Sequence, residues 1–363
     1  LLVYARGFTT AANNGLKLLA GTSTPTEVKT TGLVAEASPP ANAILEVCGV
    51  QGASADITVV SGNLVSTVLD WTTLGLAVGQ DIHVGDTANA AYYFAPLADH
   101  GFARITAITA TTLSLDRKGT TFTNDSGTGK TIRILFGRKT NVCPSTDASY
   151  VDKTYQTELY YPTLGAGSTA LYEYTKGLAV DEMTIVIPSA DKATMSVSFV
   201  GTGVETITAS RKSGASTARA QNKKIAINTS ADIGRIVVME ADETGLTTTV
   251  KSATIRIRNT ATPNKGIGVI GSIETTKGNC EVDFDWSGYF TNADVVTAAA
   301  ANDAIGAKLT IRNSDGAMVF DIPEARLGAV KRDFVVNELV QCSSTVMANR
   351  DPVYNTSLTV SLF

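Results

Sequence analysis

Apolar and polar residues alternate strictly along residues 280–290, CEVDFDWSGYF, and this pattern predicts a β-strand with two different faces. One face is apolar and comprises Val282, Phe284 and Trp286. The other face is a row of carboxylates, Glu281, Asp283 and Asp285. We call the second set the acidic row and expect the first set to face a core.

A helix is predicted next, near residues 292–303. Thr291 or Asn292 can act as its N-cap, Asp294 is favourable in a first turn, and the alanine-rich run continues to Asn302 or Asp303. Two short alternating segments follow, joined around residues 314–316, which indicates a β-hairpin. The order in this region is therefore strand, helix, hairpin.

Helix signals are scarce in the rest of the chain. Residues 150–177 predict two tyrosine-rich strands around a Gly/Ser turn, and several further alternating segments follow them. The paired prolines Pro39 and Pro40 indicate a connector. A second boundary is predicted between residues 141 and 149, because the residue composition changes from residue 150 onward. The chain is thus predicted to be mainly β, with one helix.

A weak internal repeat lies in the N-terminal third. Residues 7–32 resemble residues 92–119, so that Phe8 and Gly15 correspond to Phe94 and Gly101 at the same spacing. The first copy lacks the strand and its approach that precede the second copy. Judged by the second copy, we expect roughly 25 to 30 further residues upstream of the first.

These observations predict three domains. Residues 1–48 form a partial small β-domain whose start is missing, residues 49–141 form the second repeat, and residues 142–363 form a larger β-sandwich with the helix at its side.

Composition and charge exclude several classes of function. The net charge is -4 and charged residues make up 18%, so no basic surface for sequence-specific nucleic-acid binding is expected. No apolar run approaches the roughly 20 residues of a membrane-spanning helix. The four cysteines lack metal-ligand spacing and only two histidines are present, so we expect free thiols and no metal or cofactor. They are Cys48, Cys143, Cys280 and Cys342.

Two glycine-rich motifs and two histidines are candidates for binding or catalytic sites. Residues 126–131, SGTGKT, have Asn124 where a phosphate-binding loop needs glycine, and a strand follows them instead of a helix. Residues 266–271, GIGVIG, match a dinucleotide-binding fingerprint without its βαβ context. His83 and His100 have no nucleophile near them in sequence, and His100 matches a turn position of the repeat, Asn14. No enzyme is predicted from these motifs.

The acidic row and a basic loop are the remaining candidate sites. Two carboxyl groups on one strand face lie about 7 Å apart, which would suit a metal or a glycosidase pair, but a solvated or channel-facing row is the favoured interpretation. Residues 211–224 are basic, small and aperiodic, which predicts an exposed loop that could contact another subunit. Its basic residues are Arg211, Lys212, Arg219, Lys223 and Lys224.

Residues from about 150 to 363 resemble the major tail tube proteins of long-tailed bacteriophages. The resemblance is carried by YQTELYYPTLGAGSTALYEYTKGLAVDEMTIVIPSADKATMSVSFVGTG, by TTVKSATIRIRNTATPNKGIGVIGSIETTKGNCEVDFDWSGYFTNADVV and by the final strand and loop. It covers about three-fifths of the chain. It implies a β-sandwich with a flanking helix that assembles as stacked hexameric rings into a DNA-conducting tube.

The resemblance also implies roles for the candidate residues. Glu281, Asp283 and Asp285 would line the lumen, where carboxylates repel phosphates and the genome passes without specific binding. The basic loop would contact a neighbouring ring, and its deletion should leave soluble rings or monomers. The small N-terminal domains would decorate the outside. The partners would be further copies and other tail proteins at the tube ends, in a virion tail made in the host cytoplasm.

Two other functions compete with this interpretation. A carbohydrate-binding or adhesion protein of the virion surface would suit repeated β-units with exposed tyrosine and tryptophan. A β-rich hydrolase using the acidic row is the third hypothesis, for which a loss of turnover in Asp283→Asn would be the sign.

Overall fold

A computed structural model describes most of the chain. The described residues are 1–21, 28–85, 90–96, 100–116, 121–142, 147–148, 150–162, 169–212, 227, 233–240, 250–291, 293–313, 316–334, 336 and 338–363. Most of them lie in antiparallel strands, so the prediction of a mainly β protein is confirmed.

The N-terminal sheet has nine strands. They are β1 (Leu2–Arg6), β2 (Gly15–Leu18), β3 (Ile44–Gln51), β4 (Thr58–Val60), β5 (Asn63–Val65), β6 (Asp81–Val84), β7 (Gly101–Ile108), β8 (Thr112–Leu115) and β9 (Arg133–Phe136). Their order in space is β2-β1-β3-β9-β6-β7-β8-β5-β4. Apolar side chains from the second half of the sheet form a core with Trp71 and Phe94 fully buried in it.

The two repeat copies occupy corresponding places in this sheet. In the first copy β1 lies between β2 and β3, and in the second β6 lies between β7 and β9. The amide of Asn14 donates to the carbonyl oxygen of Phe8 at 2.9 Å, and His100 Nε2 donates to that of Phe94 at 3.0 Å. The turn position shared by Asn14 and His100 therefore makes the same type of contact in both copies.

The N-terminal strands are continuous across the first predicted boundary. β3 includes residues on both sides of position 48, and it pairs antiparallel with β9. Strands from both repeat copies thus belong to one sheet. The division into three domains remains a prediction.

The C-terminal region contains the other strands and α1 (Asp294–Ala301). The strands up to the helix are β10 (Arg138–Val142), β11 (Tyr155–Tyr161), β12 (Leu171–Ile187), β13 (Thr194–Val200), β14 (Gly203–Val204), β15 (Ile233–Glu240), β16 (Val250–Arg258), β17 (Thr262–Asn264), β18 (Glu274–Thr276) and β19 (Glu281–Tyr289). The strands after it are β20 (Ile305–Asn313), β21 (Gly316–Leu327), β22 (Lys331–Asp333), β23 (Gln341–Asn349) and β24 (Leu358–Leu362).

These strands form two layers around one core. The front layer is β13-β12-β16-β19-β23, and the back layer is β15-β20-β21-β24-β10. β21 joins them, because residues 318–321 pair with β24 and residues 324–327 pair with β23. Val282, Phe284 and Trp286 are 1%, 1% and 3% exposed and pack in this core with Leu309 and Phe320 of the back layer.

The helix and the hairpin follow β19 in the predicted order. The side chains of Val295 and Ala298 in α1 are buried in the core. β20 and β21 pair antiparallel, with Asn313 opposite Gly316, as the predicted hairpin requires. Residues 314–315 of the turn lie outside the described residues.

Both ends of the helix differ from the sequence prediction. Ala293 occupies the N-cap position without a side-chain hydrogen bond, so Thr291 is not the cap; Asn292 lies outside the described residues. At the other end the helix stops at Ala301, because Asn302 adopts a left-handed conformation with φ 55° and its N–H bonds back to Ala298 and Ala299. Asparagine tolerates this conformation better than most residues, so it ends the helix before Asp303.

The N-terminal sheet covers the back layer. Lys308 and Asp321, on the outer face of β20 and β21, contact Asp81 of β6 and Arg104 of β7. The acidic row is on the outer face of the front layer, since the inner face of β19 points into the core. The N-terminal sheet and the acidic row therefore lie on opposite sides of the two-layer unit.

Within the described part of the chain, no helix has the length and apolar character needed to cross a membrane.

Candidate functional site

The acidic row is paired with a row of arginines on the neighbouring strand. Arg258 forms an ion pair with Asp283 and approaches Glu281 at 3.5 Å. Arg256 Nη1 lies 2.5 Å from Asp285 Oδ2, and the hydroxyl of Thr345 donates to Asp285 Oδ1 at 2.6 Å. The carboxylates are therefore held in a cross-strand network.

Strand register explains this network. β16 runs antiparallel to β19, with Arg258 opposite Glu281 and Arg256 opposite Asp283. Each guanidinium reaches past its directly opposite residue to the next carboxylate along the row, a diagonal contact that long side chains can make. The sequence shows both alternating segments but not that they pair, so the sequence prediction missed the arginines.

Charge pairing changes the electrostatics of this face. Glu182 of β12 lies opposite Arg258 and adds a fourth carboxylate. β21 and β22 add Glu324, Arg326 and Lys331 to the same face, since their register partners on β23 are the residues opposite the acidic row or two positions from them. Five carboxylates against four cations give the face a formal charge of -5 + 4 = -1. The face is therefore weakly negative, and Asp283 and Asp285 are held in ion pairs with arginines.

The carboxylates of this face contact other side chains. In the parts of the chain that the structure describes, no group of three or more His, Cys, Asp or Glu side chains is arranged to hold a metal ion. The carboxylate oxygens of Asp283 and Asp285 accept from arginine and threonine side chains, so their hydrogen-bonding capacity is used within the subunit.

The first two basic residues of the predicted loop bind to the same subunit. Arg211 makes a bidentate pair with Glu158, at 3.0 and 2.8 Å from Nε to the two carboxylate oxygens, and lowers the pKa of that carboxyl. The ammonium of Lys212 pairs with Glu205 and lies 5.1 Å from the centre of the Tyr174 ring. Arg219, Lys223 and Lys224 lie outside the described residues, so the loop's contact with another subunit remains a prediction.

β13 is the last described strand of the front layer, and just before it the N–H of Ala193 donates to the Ile227 oxygen at 3.1 Å. Among the described residues it pairs with no strand other than β12. Met195 lies opposite Ile185 and Val197 opposite Met183, so both share the core-facing side of the sheet. Ile185 is 6% exposed, but Met195 is 65% and Val197 37% exposed. The apolar face of the edge strand thus extends beyond the core that one subunit supplies.

A buried charge cluster joins the N-terminal sheet to the back layer. Lys308 Nζ donates to Asp81 Oδ1 at 2.8 Å and lies 3.4 Å from Asp321 Oδ2, while Arg104 Nη2 donates to Asp321 Oδ1 at 2.7 Å. Ser361 Oγ donates to Asp81 Oδ2 at 2.7 Å. All five residues are at most 2% exposed.

Burial and mutual attraction shift the pKa values of this cluster. Burial raises the pKa of the Asp81 carboxyl, partly offset by Lys308. Burial disfavours the charged forms of Lys308 and Arg104, but the surrounding carboxylates outweigh it and raise both pKa values. The two cations are held charged, and the cluster acts as a polar joint between the layers.

A cavity of about 270 Å³ adjoins this joint. Its charged lining residues are Arg104, Asp116, Glu324 and Asp351, and the Arg104 guanidinium lies 4.6 Å from the centre of the Tyr354 ring. Three carboxylates face one cation there, so the lining is unsuited to an anion.

The glycine-rich motifs connect strands. Residues 126–131 precede β9, and Lys130 Nζ donates to the backbone oxygen of Ala90. The GIGVIG segment joins β17 to β18 in a two-stranded hairpin. His83 is 7% exposed on β6 and its ring packs 4.5 Å from that of Phe102.

Comparison with known proteins identifies a family for the chain. No curated protein matches the chain. The sequence profile described as phage tail tube protein matches residues 3–356, which includes the N-terminal sheet as well as the two-layer unit. The chain therefore belongs to the phage tail tube protein family.

Proposed function

We propose that the protein is a structural, non-catalytic subunit of a phage tail tube that assembles into stacked hexameric rings around a DNA-conducting channel. The observation that carries this proposal is that, in a chain of the phage tail tube protein family, β13 pairs with β12 alone among the described strands. An unpaired edge is a template for strand pairing, and closing sheets into a barrel removes every such edge.

Edge pairing would bury the exposed apolar face of β13. Met195 and Val197 continue the core-facing row of β12, so a neighbouring subunit's layer would cover them as the core covers Ile185. Full burial of such side chains contributes roughly 1.5–3 kcal/mol each. The same contact would also satisfy the free backbone groups of the edge strand.

The sides of the subunit fit a tube with its lumen at the front layer. β21 and β22 pair with the outer side of β23, so each subunit adds six strands to the front layer. Strands lie about 4.8 Å apart, so six copies give a circumference of roughly 170 Å and a backbone diameter of roughly 55 Å. This leaves room for a DNA duplex. The acidic row would face the channel, and the N-terminal sheet, on the opposite side, would decorate the outside.

The pairing of carboxylates with arginines affects how strongly the channel surface would interact with DNA. Phosphates would meet a surface with a formal charge of -1 per subunit, in which Arg256 and Arg258 are already held by carboxylates. Repulsion is then weak and long-ranged attraction absent, which favours sliding without retention. Further copies and other tail proteins at the tube ends would be its partners, in a virion tail made in the host cytoplasm.

Electron microscopy of the purified protein tests this proposal. We expect wild-type rings and tubes, and monomers from Met195→Asp/Val197→Asp, because two charges would have to be buried at the closed edge. Val68→Asp is the matched control, since Val68 is 67% exposed on the N-terminal region and should leave assembly unchanged. Wild-type monomers or trimers would instead favour the virion-surface adhesion hypothesis, and normal tubes from the double variant would refute the role of β13.

A further inference from the structure

The β17–β18 hairpin presents two isoleucines at full exposure. Ile267 and Ile270 are 107% and 104% exposed, and Val269 between them is 50% exposed. We call these three residues the hairpin tip. Single exposed apolar residues are common on protein surfaces, but two fully solvated isoleucines three positions apart on one short connection mark an interaction site.

The hairpin tip is held by hydrogen bonds at its base. The N–H of Ile273 donates to the Asn264 oxygen at 2.8 Å, and that of Ser272 donates to the Thr202 oxygen at 2.8 Å. Gly271 has φ +93°, and a Cβ there would lie 2.4 Å from the Thr202 oxygen, so only glycine fits. The isoleucines are therefore displayed by a defined turn, which lowers the entropic cost of docking them.

A second apolar patch lies at the opposite end of β19. Phe334, Val336 and Leu339 are 75%, 86% and 70% exposed, and we call them the loop patch. They lie between β22 and β23, whose paired ends adjoin Tyr289 at the end of β19. The hairpin tip belongs to the connection between the end of β16 and the start of β19. Nine residues of β19, roughly 27 Å along the strand axis, separate the two ends.

We propose that the hairpin tip of one copy docks on the loop patch of the next copy along the strand axis, so that these two surfaces stack successive rings. The inference rests on the proposed tube function. Two different surfaces at opposite ends make a head-to-tail contact, which repeats without limit, whereas a tip-to-tip contact would stop at two rings.

Charged residues surround both apolar surfaces. Lys265 and Glu274 flank the hairpin tip, and Lys331 and Arg332 are exposed beside the loop patch. An apolar centre with a polar rim is the anatomy of protein interfaces. Asp333 and Glu338 are also exposed beside the loop patch, so each surface is bordered by charges of both signs and opposite charges can meet when the apolar centres dock.

Complementary variants test the contact. Ile267→Asp/Ile270→Asp should give single rings because its hairpin tip cannot dock, and Phe334→Asp/Val336→Asp should do the same through the loop patch. Each variant retains the surface that the other lacks. Mixing the two should therefore produce double rings, detected by electron microscopy and by a doubling of the mass in analytical ultracentrifugation. Val68→Asp should form tubes of wild-type length.

The outcomes separate this inference from the tube proposal. Wild-type tubes together with wild-type-length tubes from both variants would overturn the inference and leave the tube function standing. Double rings from the Phe334→Asp/Val336→Asp variant alone would also overturn it, because they would show tips pairing with tips. The absence of rings from wild-type protein would overturn the proposed function itself. Circular dichroism of each variant before assembly checks that the exposed substitutions leave the fold intact.

Discussion

Replacing Lys308 by methionine should weaken the joint between the N-terminal sheet and the back layer. The side chains have similar lengths, so the substitution removes the charge with little change of volume. It leaves Asp81 and Asp321 buried, with Asp81 retaining the Ser361 hydroxyl and Asp321 retaining Arg104. A buried carboxylate without its cation is costly because the protein interior solvates it poorly.

The expected loss is large compared with that of an exposed ion pair. Removing one partner of a buried pair costs about 3–5 kcal/mol, and roughly 2–4 °C of Tm per kcal/mol applies to a unit of 150–250 residues. We therefore expect Tm to fall by roughly 6–20 °C. Arg6→Met is the matched control, since Arg6 and Glu46 are 3.4 Å apart with side chains 53% and 45% exposed. It should cost no more than about 1 kcal/mol.

The two tryptophans allow each part of the molecule to be followed separately. Trp71 is fully buried in the N-terminal core, and Trp286 is 3% exposed in the core between front and back layers. Urea unfolding of the unassembled subunit would be followed by fluorescence in Trp71→Phe and Trp286→Phe backgrounds. In the wild type the two tryptophans should report the same urea midpoint. In Lys308→Met the midpoint of the N-terminal sheet and that of the two-layer unit should differ.

A loss of stability below 1 kcal/mol would refute this reasoning. It would mean that the buried carboxylates are neutral or solvated, and that the cluster does not join the two regions. The second variant, Lys308→Met with Asp81→Leu, removes both charges of the Lys308–Asp81 pair. It should recover part of the loss, because apolar replacement of a buried pair is often nearly neutral.

Three further predictions concern pH, thiols and the hairpin. The pKa of Lys308 is raised in the folded state, so the folded protein keeps a proton that the unfolded chain releases at its ordinary pKa. The free energy of unfolding should therefore fall as the pH rises above about 10. If the urea midpoint of Lys308→Met fell as steeply over this pH range as that of the wild type, the prediction would be wrong. Burial raises the pKa of Cys342, and burial together with Glu46 raises the pKa of Cys48 to about 11. Iodoacetamide at pH 8 should therefore modify neither thiol in the folded subunit. Modification of Cys342 in protein with a native circular dichroism spectrum would contradict this prediction. Gly271→Ala should shorten tubes by distorting the hairpin tip, as measured by electron microscopy, and unchanged lengths would show that the tip tolerates the strain.

Alternation along the chain was sufficient to predict the central strand and its neighbours. The apolar set of β19 is buried, and the helix and the β20–β21 hairpin follow it in the predicted order. These features depend on local periodicity, which the sequence displays directly. The helix ends were misplaced because Asn302 stops the helix through its backbone conformation, which periodicity does not encode.

The buried cluster and the arginine row depend on contacts between distant segments. Lys308 alternates with the apolar residues of β20 and reads as solvent-facing, but the N-terminal sheet covers that face as well. Arg256 and Arg258 alternate in β16, yet their effect on the acidic row follows from the pairing of β16 with β19. A single sequence does not show which strands pair or which outer faces become buried.

A density map of the assembled wild-type tube would locate the acidic row and the N-terminal sheet relative to the channel. We expect rings closed through the β13 edge, with Glu281, Asp283 and Asp285 facing the lumen and the N-terminal sheet on the outside. A tube in which the acidic row faces outward or a subunit contact, with the N-terminal sheet toward the channel, would contradict this expectation.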